Sequence, residues 1–181
     1  YDIEAYTPSK SLQDKMSVIS KAYSELSRSQ LDYVKFYMDN HKQIPTWIMI
    51  KVVNFSTFID IIGCSKTEVS HALCHLYGLI DDNGHANVKL LIGSLHWMRK
   101  IRNACAHNER VYCLTRGKQS GRILEKHFRA LNRGYARNLE QKIFDLFVYF
   151  KYYLPKNEYK QFISELKGML SNLEAKIHPH A

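Results

Sequence analysis

Apolar residues recur at steps of three and four along most of the chain, the repeat of a helix with one buried face. Leu12, Met16, Ile19, Tyr23 and Leu26 predict the first helix. Ser29 stands where a cap would open a second, carrying Leu31, Val34, Tyr37 and Met38. Pro45 then breaks the chain. Trp47 to Val53 and Thr57 to Ile62 are apolar on nearly all sides, which predicts central positions. Their β-branched residues leave strand as an alternative there. Ser65-Lys66-Thr67-Glu68 has the pattern of a capping box and predicts a helix to about Tyr77. Asp81-Asp82-Asn83-Gly84 predicts a turn. From about Ala86, the positions Val88, Leu91, Ile92, Leu95, Met98 and Ile101 mark the longest helix of the middle.

Gly117 to Gly121 is the most loop-like stretch. Leu139, Ile143, Leu146, Phe147 and Phe150 predict a helix that Pro155 ends. Phe162, Leu166, Met169, Leu170 and Leu173 predict the last one. The aromatic residues from Tyr149 to Tyr153 keep the helical spacing, so they read as core or interface rather than as a platform for bases. The expected fold is an all-α bundle, in a single domain over residues 1–181, without internal repeats.

Length and composition agree. A chain of 181 residues buries roughly 70% of its unfolded surface and needs no staples. With 45% hydrophobic and 24% charged residues it is not a disordered chain. Four scattered cysteines make no disulfide framework and read as reduced thiols, which points to the cytoplasm. No stretch reaches the roughly 18 apolar residues of a membrane span; Trp47 to Ile62 is interrupted by Lys51, Asn54 and Asp60. The chain opens on Tyr1 rather than Met, so an N-terminal region of the full protein is expected to precede it.

Charge changes the picture. Arg99 to Lys142 holds twelve basic residues against three acids, an excess equal to the +9 of the whole chain. A local field of that sign favours phosphate backbones or an acidic protein surface. The alternative is a solvated basic face.

The run Ile101-Arg102-Asn103-Ala104-Cys105-Ala106-His107-Asn108-Glu109-Arg110 lies at the end of the long helix and inside the basic segment. Asn103 and His107 fall one turn apart, so the amide could hold the imidazole in one orientation. Arg99 and Arg110 lie on neighbouring turns of that side. Arg102 is five residues from His107, roughly 140° around a helix, so the two do not share a face. These residue types suit metal-free RNA cleavage, in which the 2′-hydroxyl attacks the adjacent phosphorus. Histidine titrates near neutral pH and serves as acid or base. Arginine offers a fork of donors to the phosphoryl oxygens. The plainer alternative is a helix end whose histidine helps to cap the last carbonyls.

Other constellations carry less. His71 and His75 have i, i+4 spacing beside Cys74, but no third metal ligand is evident. Cys105 has no base arranged to activate it and is expected to face the core. Gly117-Lys118-Gln119-Ser120-Gly121 is too short for a phosphate-binding loop of the Walker type.

Arg102-Asn103-x3-His107 resembles the signature of HEPN ribonucleases. Ile44-Pro45-Thr46-Trp47, then Asn54-Phe55-Ser56, then Leu95 to Arg110, are similar in order and kind to the Abi-like (abortive infection) branch of that superfamily. Ser56 stands where that branch usually has Gly, and Val111-Tyr112-Cys113 where it often has Trp-Asn. Glu109 stands where a different HEPN branch carries a tyrosine for nucleotidylation, so that mode of control is not implied.

The resemblance implies a HEPN-like helical bundle and a homodimer. Two motif helices would face each other there, so that Arg102 acts with His107 of the other chain. It implies a metal-independent endoribonuclease of toxin or phage-defence type, some members of which are restrained by a structured RNA. Arg102, Asn103 and His107 are then the catalytic set, with no cofactor or metal. Arg99, Lys100, Arg110, Arg116, Lys118 and Arg122 are the expected RNA contacts. Two other readings of the basic segment remain: a non-catalytic RNA-binding regulator, and a helical module for an acidic protein partner.

Overall fold

The computed structural model describes residues 6–41, 43–115 and 142–177. Eight α-helices account for most of them: α1 (Leu12–Ser27), α2 (Asp32–Asn40), α3 (Thr46–Val52), α4 (Phe55–Cys64), α5 (Thr67–Leu76), α6 (Val88–Ala106), α7 (Ile143–Tyr153) and α8 (Lys156–Ile177). One 3-10 turn spans Val111–Cys113. No strand occurs among the described residues; two isolated bridges join Tyr6 to Ser65 and Ile80 to Ala86. The fold is all-α, and both apolar stretches that could have been strands are helices. No described helix is long and apolar enough to cross a membrane.

Helix α4 lies between α1 and α6. On one side, Ile59 and Ile62 join Leu90, Leu91, Leu95, Trp97 and Ile101 of α6 and Leu146 and Tyr149 of α7 in the main core. On the other, Ala22 and Leu26 of α1, Val34 of α2 and Ile48 and Met49 of α3 form a second cluster against Phe58 and Ile61. Burial of this kind is the main favourable term in holding such a bundle together.

Several expectations change in detail. The buried seam of α1 runs through Val18, Ala22 and Leu26, while Leu12 and Met16 are 65% and 53% exposed. Small Ala22 sits where α1 packs, so the seam is rotated from the row of large residues. Ser29 does not open α2; Leu31 is its N-cap, and the hydroxyl of Ser29 accepts only from the Leu31 amide at 3.4 Å. Ser65 does not cap α5 either. Its hydroxyl donates back to the Ile61 carbonyl at 2.7 Å, at the end of α4, and α5 starts without a side-chain cap. Helix α3 is not central on all sides, since Trp47 and Ile50 are about half exposed. The Asp81–Gly84 turn is as expected: Gly84 has φ 82°, and the Asp81 carboxylate accepts from the amides of Asn83 and His85.

Polar ties fix the helices that carry the site. Asn54 caps α4 by accepting from the Thr57 amide at 2.9 Å. Glu25 of α1 accepts from the Asn54 amide and from the buried Thr57 hydroxyl, both at 2.7 Å, and from the Asn54 side chain. Removing Glu25 strands those donors. Glu25→Ala should therefore cost about 2–3 kcal/mol, the usual penalty for orphaned donors at a partly buried site. A shift of less than about 0.5 kcal/mol in urea unfolding would show that water replaces the carboxylate.

Tyr153 and Ser94 share a hydrogen bond of 2.6 Å between α7 and α6, and burial pushes the Tyr153 phenol well above its ordinary pKa. Burial likewise takes Tyr152 up to about 12. The aromatic end of α7 is thus core, as its spacing predicts. Helix α8 buries none of its residues among those described, and Met169, Leu170, Leu173 and Ile177 stand more than half exposed along it.

Candidate nucleic-acid site at the end of helix α6

Helix α6 starts on Asn87, whose side chain accepts from the Leu90 amide at 2.9 Å. It runs through the core, with Trp97 fully buried, and its last buried residues are Ile101 and Ala104. Arg102, Asn103, Cys105, Ala106 and His107 are exposed. Cys105 was expected to face the core. It is exposed, while its neighbour Ala104 carries the buried side of the last turn.

The helix ends in a Schellman motif. His107 is its C-cap residue, and its amide donates to the Asn103 carbonyl at 3.0 Å. Asn108 follows with φ 56°, a left-handed conformation that asparagine tolerates better than most residues. The amide of Asn108 donates to Cys105 at 3.3 Å, and that of Glu109 to Ala104 at 2.9 Å. The chain then turns back through the 3-10 turn, and the Lys100 ammonium donates to the Thr115 carbonyl at 3.0 Å.

This geometry sorts the expected residues. Arg102 donates to the side-chain oxygen of Asn103 at 3.1 Å. Asn103 thus holds the arginine and not the imidazole of His107, since a long guanidinium reaches the neighbouring amide easily. By helical spacing alone, Arg102 and His107 fall on different sides of α6 within one chain. Arg99 is half-buried and donates to the Ser56 hydroxyl at the start of α4, the position where the resembling branch usually has glycine. Lys100 lies over the Trp97 ring, 5.7 Å from its centroid. Arg110 is exposed and precedes the 3-10 turn. Arg116, Lys118 and Arg122 lie outside the described residues.

A recess of about 380 Å³ opens beside the motif, lined by His96, Arg99, Lys100, Asn103, Ala104 and Glu109. His96 went unread in the sequence. It stands seven residues before Asn103, two turns along the same face, and that spacing was the available signal. His96 also borders a second recess of about 320 Å³ between α1 and α4, which the Lys21–Asp60 ion pair crosses at 3.1 Å.

Among the described residues, no three His, Cys, Asp or Glu side chains come together as metal ligands would. His71 and His75 are exposed, and Cys74 is fully buried, with its thiol pKa pushed up by that burial.

The fold is an all-α bundle that presents a basic helix end, with Arg102, Asn103 and His107 exposed on its last two turns. The Abi-like protein family model matches residues 1–113, from the first residue through the whole motif, and the chain belongs to that family. No curated protein and no solved structure matches it.

Proposed function

We propose that the protein is a metal-independent endoribonuclease of HEPN type that acts in phage defence as a homodimer, with Arg102 and His107 as its catalytic residues and Asn103 positioning Arg102. The observation that carries this reading is the end of α6, where all three residues stand exposed and Asn103 steadies Arg102. Membership of the Abi-like family supports it.

One chain supplies one histidine and one arginine, which by helical spacing fall on different sides of the helix. A two-fold pairing of α6 ends would put both copies of each into one cleft, and isologous dimers are the commonest oligomers. In that cleft, His107 of one protomer takes the proton from the 2′-hydroxyl as its oxygen attacks phosphorus. The partner's His107 gives a proton to the departing 5′-oxygen. The two Arg102 side chains face the non-bridging oxygens, where negative charge develops. The products are a 2′,3′-cyclic phosphate and a 5′-hydroxyl. Lys100, Arg110 and the basic residues Arg116, Lys118 and Arg122 would hold the flanking phosphates. Asn103, by orienting Arg102, is a positioning residue.

Mixing an inactive variant with the wild type tests the composite cleft. In an equal mixture of wild-type and His107→Ala chains, unfolded and refolded together, activity per wild-type chain should fall to about half, because a hybrid dimer keeps one His107 and lacks either the acid or the base. His107→Ala refolded alone should stay inactive. Undiminished activity per wild-type chain, in a mixture where a tag on one chain retains the other, would mean that one cleft does not use both histidines. Full activity in a chain that stays monomeric would contradict the composite cleft altogether.

A further inference from the structure

The recess beside the motif has an uneven chemistry. Arg99 and Lys100 bring positive charge to it, yet Glu109 brings a carboxylate to the same walls. Arg99 gives one donor to Ser56 and Lys100 one to Thr115, which leaves each with donors to spare. The Glu109 amide is used in the helix cap. Its carboxylate has no hydrogen bond or ion pair with any described residue, although two cations share its recess.

A carboxylate accepts hydrogen bonds and donates none. It repels a phosphate, so in a site for RNA it needs donors from elsewhere on the strand. In single strands these are on the Watson–Crick edges of splayed bases. Guanine alone carries two neighbouring donors there, N1–H and N2–H2, at the separation of two carboxylate oxygens. Adenine and cytosine place a ring acceptor beside their amino group. Uracil flanks its N3–H with two carbonyls. Each of those acceptors would meet a carboxylate oxygen and be rejected.

We propose that this recess is a guanine-reading subsite for single-stranded RNA, in which Glu109 accepts from N1–H and N2–H2 of the base while Arg99 and Lys100 hold the adjoining phosphate. His96 and Asn103 form the walls between which the base enters. Because Asn103 also holds Arg102, a guanine seated here sets which phosphodiester lies before the catalytic set. The inference rests on the reading that RNA is the substrate, and it adds what part of the sequence is read.

The experiment uses the whole chain with His107→Ala, so that the RNA survives. Fluorescence anisotropy compares four pentanucleotides that differ only in a central G, A, C or U between uridines. All four carry the same charge, so phosphate contacts cancel at a fixed salt concentration. The G oligomer should bind at least about tenfold more tightly than the other three, the usual worth of one good bidentate base contact. Adding Glu109→Gln should bring the four within about threefold of each other. Glu109 is exposed and Gln keeps its backbone bond, so an unchanged melting temperature will show that the fold is intact. Equal binding of all four, or a preference that survives Glu109→Gln, overturns the subsite. Cleavage by the wild type without guanine preference would overturn the subsite and leave the ribonuclease reading standing. Guanine preference in a chain that cuts no RNA would do the reverse.

Discussion

Replacing His107 by alanine should lower the rate of RNA cleavage by about a hundredfold to ten-thousandfold, the range typical of a lost acid–base group. Nothing else about the molecule should change much. The side chain is exposed, so its loss opens no cavity. The residue's structural duty belongs to its backbone, whose amide donates to the Asn103 and Ala104 carbonyls at the end of α6. Alanine keeps both bonds and takes the same backbone angles, near φ −100° and ψ 11°. Affinity for RNA should fall less than threefold, because phosphate contacts from arginine and lysine dominate binding. Single-turnover cleavage of a defined RNA, read with anisotropy on the same strand, separates the two effects. Cleavage within threefold of wild type would remove His107 from the chemistry. Binding lost together with cleavage would make His107 a contact to RNA rather than the acid–base group.

The largest effect on stability is expected at Trp97. Its indole is fully buried in the main core among residues of α4, α6 and α7. Its Nε1–H donates to the Lys142 carbonyl at 3.1 Å, which ties α6 to the residue that opens α7. Trp97→Ala removes both and should cost about 3–5 kcal/mol in equilibrium unfolding. Trp97→Phe keeps most of the packing and leaves the carbonyl unpaired, so about 1–2 kcal/mol is expected. Equal losses for the two variants would mean that the hydrogen bond, and not the volume, anchors α7. A loss below about 1 kcal/mol for alanine would mean that the core closes around the gap.

Much of this architecture is legible in the sequence where one face of a helix is unambiguous. In α6, the row Val88, Leu91, Ile92, Leu95, Met98 and Ile101 holds three buried residues, Leu91, Leu95 and Ile101, and three partly buried ones packed against the core. In α1 the pattern misleads, because Ala22 packs closely and carries little hydropathy, while Leu12 and Met16 lie off the buried seam of Val18, Ala22 and Leu26. Ser65 shows a different limit. A serine between two helices can cap the next one or bond back to the last, and only the three-dimensional path of the chain decides. Here it bonds back to Ile61.

The site divides in the same way. Helical spacing is enough to place Asn103 and His107 at one helix end and to separate Arg102 from His107. It does not reveal that Asn103 holds Arg102, because both partners are flexible side chains at adjacent positions. Nor does it reveal the recess, since Glu109 reaches it only through the Schellman turn at Asn108, which doubles the chain back along α6. His96 was readable from its seven-residue spacing to Asn103. Ser56 was visible as a departure from the family pattern, but its bond to Arg99 joins helices 43 residues apart in sequence.

The most direct test of the central claim is the chemistry of the cut ends. Purified protein is incubated with total RNA in excess chelator, and the fragments are assayed for 2′,3′-cyclic phosphate and 5′-hydroxyl termini, with His107→Ala in parallel. Cleavage should persist in chelator, the new ends should be cyclic phosphates, and the variant should leave the RNA intact. Cleavage that vanishes with chelator and returns with added Mg²⁺ or Zn²⁺, leaving 3′-hydroxyl ends, would contradict that claim, because a metal-activated water would then be the nucleophile and His107 would not be the acid–base group.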